Sequence, residues 1–177
     1  MDYYDLKIGR LERKLPILRV SPKVKVASFN LLGDRELVVV LGKALLPKLK
    51  KLDFDYLVGP EVKVVPLLEE LSGLLGKPRY IVCRRTIHGY MVSPVVSQSK
   101  PGLVIDGEDA NLLRGKKVIV IDDVVSSGRT LGVVAELMEA VEAKIIAYAA
   151  VFKQKNLPEK EIKDLIYLDT LPVFKAT

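Results

Sequence analysis

Apolar positions recur along this chain in two rhythms, short solid runs and helical i, i+3, i+4 spacings, and the two alternate. Leu37, Val38, Leu41, Leu45 and Leu49 follow helical spacing behind Asp34, a residue suited to cap a helix starting near Arg35, with Pro47 placed to kink or shorten it. Tyr56-Leu57-Val58 reads as a buried strand ending in Gly59-Pro60-Glu61. A helix through Val65, Leu67, Leu68, Leu71 and Leu74 follows it and is stopped by Gly76-Lys77-Pro78. Tyr80 to Arg84 predicts another strand, a long polar segment runs from Arg85 to about Gly102, and Leu103-Val104-Ile105 predicts a short strand, with a turn at Gly115. Lys117 to Asp122 is a strand, Leu131, Val134, Leu137 and Met138 mark a helix after Arg129, Lys144 to Phe152 is a strand, and Leu165 to Leu168 is one more. This order implies an α/β domain with a mostly parallel twisted sheet flanked by helices. The alternating runs of residues 1–30, such as Lys23-Val24-Lys25-Val26 with Pro16 and Pro22 nearby, predict β structure outside that sheet. We expect one domain over 1–177, with 1–30 and about 153–177 forming a small hood or edge elements.

The run Val118 to Thr130 carries the most chemistry. Four apolar, mostly β-branched residues read as a strand buried on both faces. Asp122 and Asp123 stand at its carboxyl end, and after Val124 and Val125 the small residues Ser126, Ser127 and Gly128 lead through Arg129 and Thr130 into a helix. Backbone N–H groups of a tight turn at a helix N-terminus face an anion, and the helix dipole favours negative charge there. Paired acids beside such a cradle suit sugar hydroxyls or a hydrated Mg²⁺. Adjacent strand residues point to opposite faces, so at most one of the two acids can enter the sheet core. A Rossmann-type turn with incidental acids is the competing reading, and the chain contains neither G-x-G-x-x-G nor G-x-x-x-x-G-K-[ST].

Four hydrophobics, two acids and a Ser/Thr/Gly loop make residues 118–130 resemble the thirteen-residue signature for phosphoribosyl pyrophosphate (PRPP) in the type I phosphoribosyltransferase family. The chain is most similar to the adenine enzymes of that family over roughly residues 25 to 152. The resemblance implies that Asp122 and Asp123 contact the ribose hydroxyls, directly or through Mg²⁺, and that Ser126, Ser127, Gly128, Arg129 and Thr130 hold the 5′-phosphate. Arg129 stands where these enzymes commonly have a second glycine. Gly59-Pro60-Glu61-Val62-Lys63 resembles their pyrophosphate loop Gly-Pro-Glu-Ala-Arg-Gly, with Lys63 in place of Arg and Val64 in place of Gly. Lysine there gives a point charge without the bidentate fork. Arg84-Arg85 matches a pyrophosphate-binding Arg-Lys pair, supplied in some members by the neighbouring subunit. Without the downstream signature, residues 59–63 read as an ordinary strand-to-helix turn and Arg84-Arg85 as a solvated strand edge.

Val96-Ser97-Gln98-Ser99 resembles the entry to a mobile loop that closes over PRPP, so Thr86 to Gly102 is the expected lid. It departs from the family in running Lys100-Pro101-Gly102 straight into Leu103, without the family's Glu-Tyr-Gly segment; Lys100 remains in reach of pyrophosphate. Phe29-Asn30-Leu31-Leu32-Gly33-Asp34 resembles the tail of the base-recognition segment, implying base contacts from Phe29 and Asn30, with Val124 beside them; a core role for Phe29 is equally consistent. His88, the only histidine, reads either as a general base or as a surface residue. The implied activity is transfer of phosphoribose from PRPP to a purine, adenine first and hypoxanthine, guanine or xanthine as alternatives. A PRPP-binding regulator without turnover is the reading from another class.

Composition narrows the partners. Among 177 residues the net charge is +6, but Lys and Arg are interspersed with acids and lack interleaved aromatics, so an anionic small substrate fits better than nucleic acid. One cysteine, Cys83, excludes an intrachain disulfide framework. The acidic start Met1-Asp2-Tyr3-Tyr4-Asp5 and the lack of a membrane-length apolar run make a cytoplasmic protein the expectation. Sparse Asn and Gln hint at a thermophilic source. A homodimer is implied by the resemblance.

Overall fold

The computed structural model describes residues 1–155, 162 and 164–176. Its centre is a five-stranded sheet in the order β10 (Ile166–Leu171), β9 (Lys144–Gln154), β8 (Lys117–Val125), β4 (Tyr56–Pro60), β5 (Tyr80–Cys83), and every neighbouring pair is parallel. The α/β expectation is borne out. The chain runs from β4 outward to the edge strand β5 and then returns to β8 on the other side of β4. Its direction of winding therefore switches between β4 and β8, and at such a switch the carboxyl ends of the strands leave a crevice.

Residues of the signature strand alternate between the two faces. Ile119 and Ile121 join a core with Leu57, α1 (Arg35–Leu49) and α2 (Val65–Leu74); Val118 and Val120 join a second with Val58 and α4 (Arg129–Ala140). Asp34 caps α1 as expected, accepting from the Leu37 N–H at 3.0 Å, and it also takes Arg13 Nε at 2.6 Å. Pro47 lies in the last turn and the helix continues to Leu49. A proline there lacks only one bond of a turn that is already ending.

The hood forms from both chain ends. Strands β1 (Tyr3–Ile8), β2 (Leu11–Ser21) and β3 (Val24–Ala27) make an antiparallel sheet completed by β11 (Val173–Lys175) beside β3. The stretch 153–177 thus divides: β10 extends the central sheet while β11 joins the hood, and residues 156–161, 163 and 177 lie outside the described residues.

Two expectations are corrected. Leu103-Val104-Ile105 is buried, but β7 (Val104–Ile105) does not enter the main sheet: it pairs antiparallel with β6 (Val95–Val96) and bridges to Arg84. The polar segment from Arg85 to Gly102 is consequently half of a hairpin rather than a free loop. A short helix, α3 (Gly107–Leu113), unanticipated from the sequence, follows with Asp106 as its cap, accepting from the Glu108 N–H at 3.2 Å. Among the described residues no helix is long and apolar enough to cross a membrane.

Candidate active site

The crevice opens where a ladder stops. Pairing of β4 with β8 ends at Val58 opposite Val120, while pairing of β4 with β5 continues to Pro60 opposite Cys83. The middle strands therefore separate just before Asp122, and the segments after β4, β5 and β8 emerge on one edge. Gly59 permits this approach: a Cβ there would stand 2.7 Å from the Ile121 carbonyl oxygen and 2.9 Å from both Leu68 Cδ1 and Val64 Cγ1.

Asp122 and Asp123 are each 8% exposed. The sequence pattern allowed one of them in the interior; both are buried because β8 runs on to Val125 and carries the pair below the lip of the sheet. Each carboxylate accepts the next backbone N–H, Asp122 Oδ1 from Asp123 at 2.8 Å and Asp123 Oδ1 from Val124 at 2.9 Å. Burial, and after it the charge of Asp123, push the Asp122 carboxyl well above the usual range, against the Asp123 N–H and the positive charge of Lys63. A cation or hydroxyl donors placed beside the pair would relieve this strain in charge.

The loop Ser126–Gly128 then turns into α4. Gly128 adopts φ 71°, ψ 2°, the left-handed conformation, and no side chain caps the helix it precedes. The first N–H groups of α4 are left without an intrahelical or capping partner, which is the setting for an anion. A concavity there is lined by Asp122, Val124 and Ser126 to Thr130. A roomier groove of about 640 Å³ between α1 and α2 shares none of these residues and is bordered mainly by apolar surface.

On the β4 side, the Glu61–Val62 peptide is cis. Glu61 was expected to meet PRPP itself, but its carboxylate is engaged within the protein: Oε2 accepts Arg84 Nε at 2.8 Å and Oε1 accepts the Arg85 N–H at 2.7 Å. Burial opposes ionisation of Glu61, yet the Arg85 N–H and the Arg84 guanidinium outweigh it and hold the carboxyl below its usual range. Arg84 is likewise committed to Glu61, so of the expected pair only Arg85 has an exposed side chain. Val62 is exposed, and Lys63 donates to the Phe29 carbonyl at 3.2 Å.

Phe29 requires correction. It is 3% exposed, and its ring meets Phe152 edge-on with centroids 4.8 Å apart, so it is a core residue and offers no open face for stacking. Asn30 is exposed and its Oδ1 accepts the Leu32 N–H at 3.2 Å; Val124 is half-buried at the end of β8.

The expected lid is tied to α4. Glu136 takes both the N–H and the hydroxyl of Ser99, which hold its carboxyl below the usual range. Arg129, which stands where the resembled enzymes commonly have glycine, donates to the Lys100 carbonyl at 2.6 Å. Glu136 escaped the sequence reading; its only signal was a place on the helix that follows the signature.

A family model described as a phosphoribosyl transferase domain matches residues 44–175. The chain is 30% identical over 126 residues to an orotate phosphoribosyltransferase of Thermococcus gammatolerans, covering 71% of this chain and 59% of that protein. It is 30% identical over 112 residues to a hypoxanthine/guanine phosphoribosyltransferase of Methanothrix soehngenii, covering 62% of this chain and 57% of that one. The match thus spans less than three fifths of the length of either curated relative. A crystal structure of adenine phosphoribosyltransferase from Thermoanaerobacter pseudethanolicus superposes with a TM-score of 0.69 over 95% of both chains at 17% identity, a likeness of fold.

Proposed function

The chain belongs to the phosphoribosyl transferase domain family, and on that premise we propose that it moves the 5-phosphoribosyl group of PRPP to a ring nitrogen of a purine base and releases pyrophosphate. The observation that carries this reading is the crevice between β4 and β8. A buried carboxylate pair, an uncapped helix N-terminus and a cationic loop are gathered there on one edge. Ser126 to Thr130 bind the 5′-phosphate, Asp122 and Asp123 orient the ribose hydroxyls, and Lys63 with Arg85 faces the departing pyrophosphate. Lys100 is the further cation from the lid. Stabilising charge on the leaving group and holding the two reactants in line are the main tasks in such a transfer, and no covalent nucleophile is required.

Mg²⁺ fits the residues present. Each aspartate has one oxygen bonded to backbone and a second carboxylate oxygen beyond it, and Mg²⁺ is ordinarily held through one or two carboxylates together with substrate phosphates and water. Asp122 and Asp123 would hold the ion together with oxygens of bound PRPP. When bound it neutralises charge on the pyrophosphate.

Hypoxanthine or guanine is put forward as the first acceptor. Curated relatives at about this identity carry hypoxanthine/guanine or orotate names. Adenine is the competing acceptor, favoured by the sequence of residues 29–34. A homodimer belongs to the same proposal and is tested by sedimentation. The deciding assay follows pyrophosphate release from PRPP and Mg²⁺ with hypoxanthine, guanine, xanthine, adenine, orotate and uracil in turn. Release with a purine is expected; PRPP binding without release from any base would overturn the transferase and leave a PRPP-binding regulator.

A further inference from the structure

The single histidine of the chain lies in the segment after β5, four residues beyond Arg84. His88 Nε2 is 3.2 Å from an Arg84 terminal nitrogen and 3.3 Å from Thr86 Oγ1. A guanidinium carries only donors, so Nε2 is the acceptor in this contact and the ring proton belongs on Nδ1. The imidazole stacks on Tyr90, with centroids 5.4 Å apart and planes inclined by 5°, and the Arg84 guanidinium carbon stands 6.0 Å from the same Tyr90 ring. Arg84 is thereby held on one flank by His88 and Tyr90 and on the other by Glu61, which in turn receives the Arg85 N–H.

We propose that His88 is a positioning residue of the pyrophosphate side of the site. It acts through Arg84, fixing that guanidinium on Glu61 and so joining the segment after β4 to the segment after β5. The inference rests on the transferase reading above. An arginine side chain has many rotamers to lose, and one anchored only at Glu61 would leave the Glu61 carboxylate free to turn. With both flanks occupied, Glu61 is aimed at the Arg85 N–H, and Lys63 and Arg85 present their charges at fixed separation before any ligand arrives. His88 needs no contact with substrate and transfers no proton in this role.

The test compares His88→Ala with His88→Gln, whose amide oxygen restores an acceptor near the Nε2 position. Three quantities are read on the full chain: amide hydrogen exchange at Glu61 and Arg85, the Kd for PRPP with Mg²⁺ by calorimetry, and KM for the accepted base. For His88→Ala, exchange accelerates at both amides and the Kd for PRPP rises about tenfold, the scale of one charge-assisted hydrogen bond. KM for the base stays as in the wild type, and His88→Gln recovers most of the PRPP affinity. Wild-type exchange in His88→Ala overturns the proposal, as does equal impairment of the Ala and Gln variants. A wild-type protein that fails to bind PRPP refutes the transferase reading instead, and amide exchange at Glu61 and Arg85 in the two variants, faster in His88→Ala and near wild type in His88→Gln, then decides the His88 linkage alone.

Discussion

Replacing Gly59 by alanine tests how tightly the two middle strands must approach to form the crevice. The added Cβ meets the Ile121 carbonyl oxygen at 2.7 Å and the side chains of Leu68 and Val64 at 2.9 Å. Comfortable carbon contacts begin near roughly 3.5 Å, so each methyl must retreat by about 0.6 Å. Neither has room, since Leu68 and Val64 are buried, and the oxygen belongs to the backbone of the central strand. The strain is relieved only by widening the gap between β4 and β8 or by pushing α2 outward. Overpacking of this kind costs about 2–3 kcal/mol. For a chain of this size that lowers Tm by roughly 4–12 °C. Because Glu61 to Val64 move with β4, PRPP affinity should fall in the same variant. Thermal unfolding followed by circular dichroism, paired with PRPP calorimetry, measures both effects. A Tm within about 1 °C of wild type, with unchanged affinity, would refute the close-approach argument.

Three further outcomes are expected. The Glu61 carboxyl is held below its ordinary value of 4.5, so the stability it contributes is complete above that pH and is lost as pH falls below it. Glu61→Gln should therefore cost about 1 kcal/mol at neutral pH and make unfolding by urea less dependent on pH in the acid range. Burial pushes the Cys83 thiol far above its usual range, so it should resist alkylation at mildly alkaline pH in the folded protein and react readily in denaturant, as mass spectrometry would show; modification of the native protein would contradict its burial. Glu136→Gln should accelerate amide exchange at Ser99 while leaving the global unfolding midpoint nearly unchanged; unchanged exchange would mean that Glu136 does not hold the hairpin.

Long periodic elements were legible in the sequence because burial on one face imposes their spacing. α1, α2, α4 and the strands β4, β5, β8 and β9 all lie where the apolar pattern places them. Leu103-Val104-Ile105 misled because three buried apolar residues look alike in any sheet, and only the partners, Val95, Val96 and Arg84, distinguish a hairpin from the central sheet. α3 is seven residues long, too short for its spacing to stand out. For the site, the sequence placed the acids and the glycine turn. Pairing between distant side chains was not visible: nothing local indicates that Glu61 faces Arg84, that Ser99 rests on Glu136, or that the Phe29 ring turns inward to Phe152.

Attachment of the 95–105 hairpin to α4 has an entropic consequence. A long free lid loses its conformational freedom each time it closes on a ligand, and that loss is subtracted from binding at every encounter. Here Ser99 and Lys100 are already bound to Glu136 and Arg129, both on α4. The ordering is completed once, when the chain folds, so the 95–105 hairpin shares the rigidity of the helix to which it is bonded.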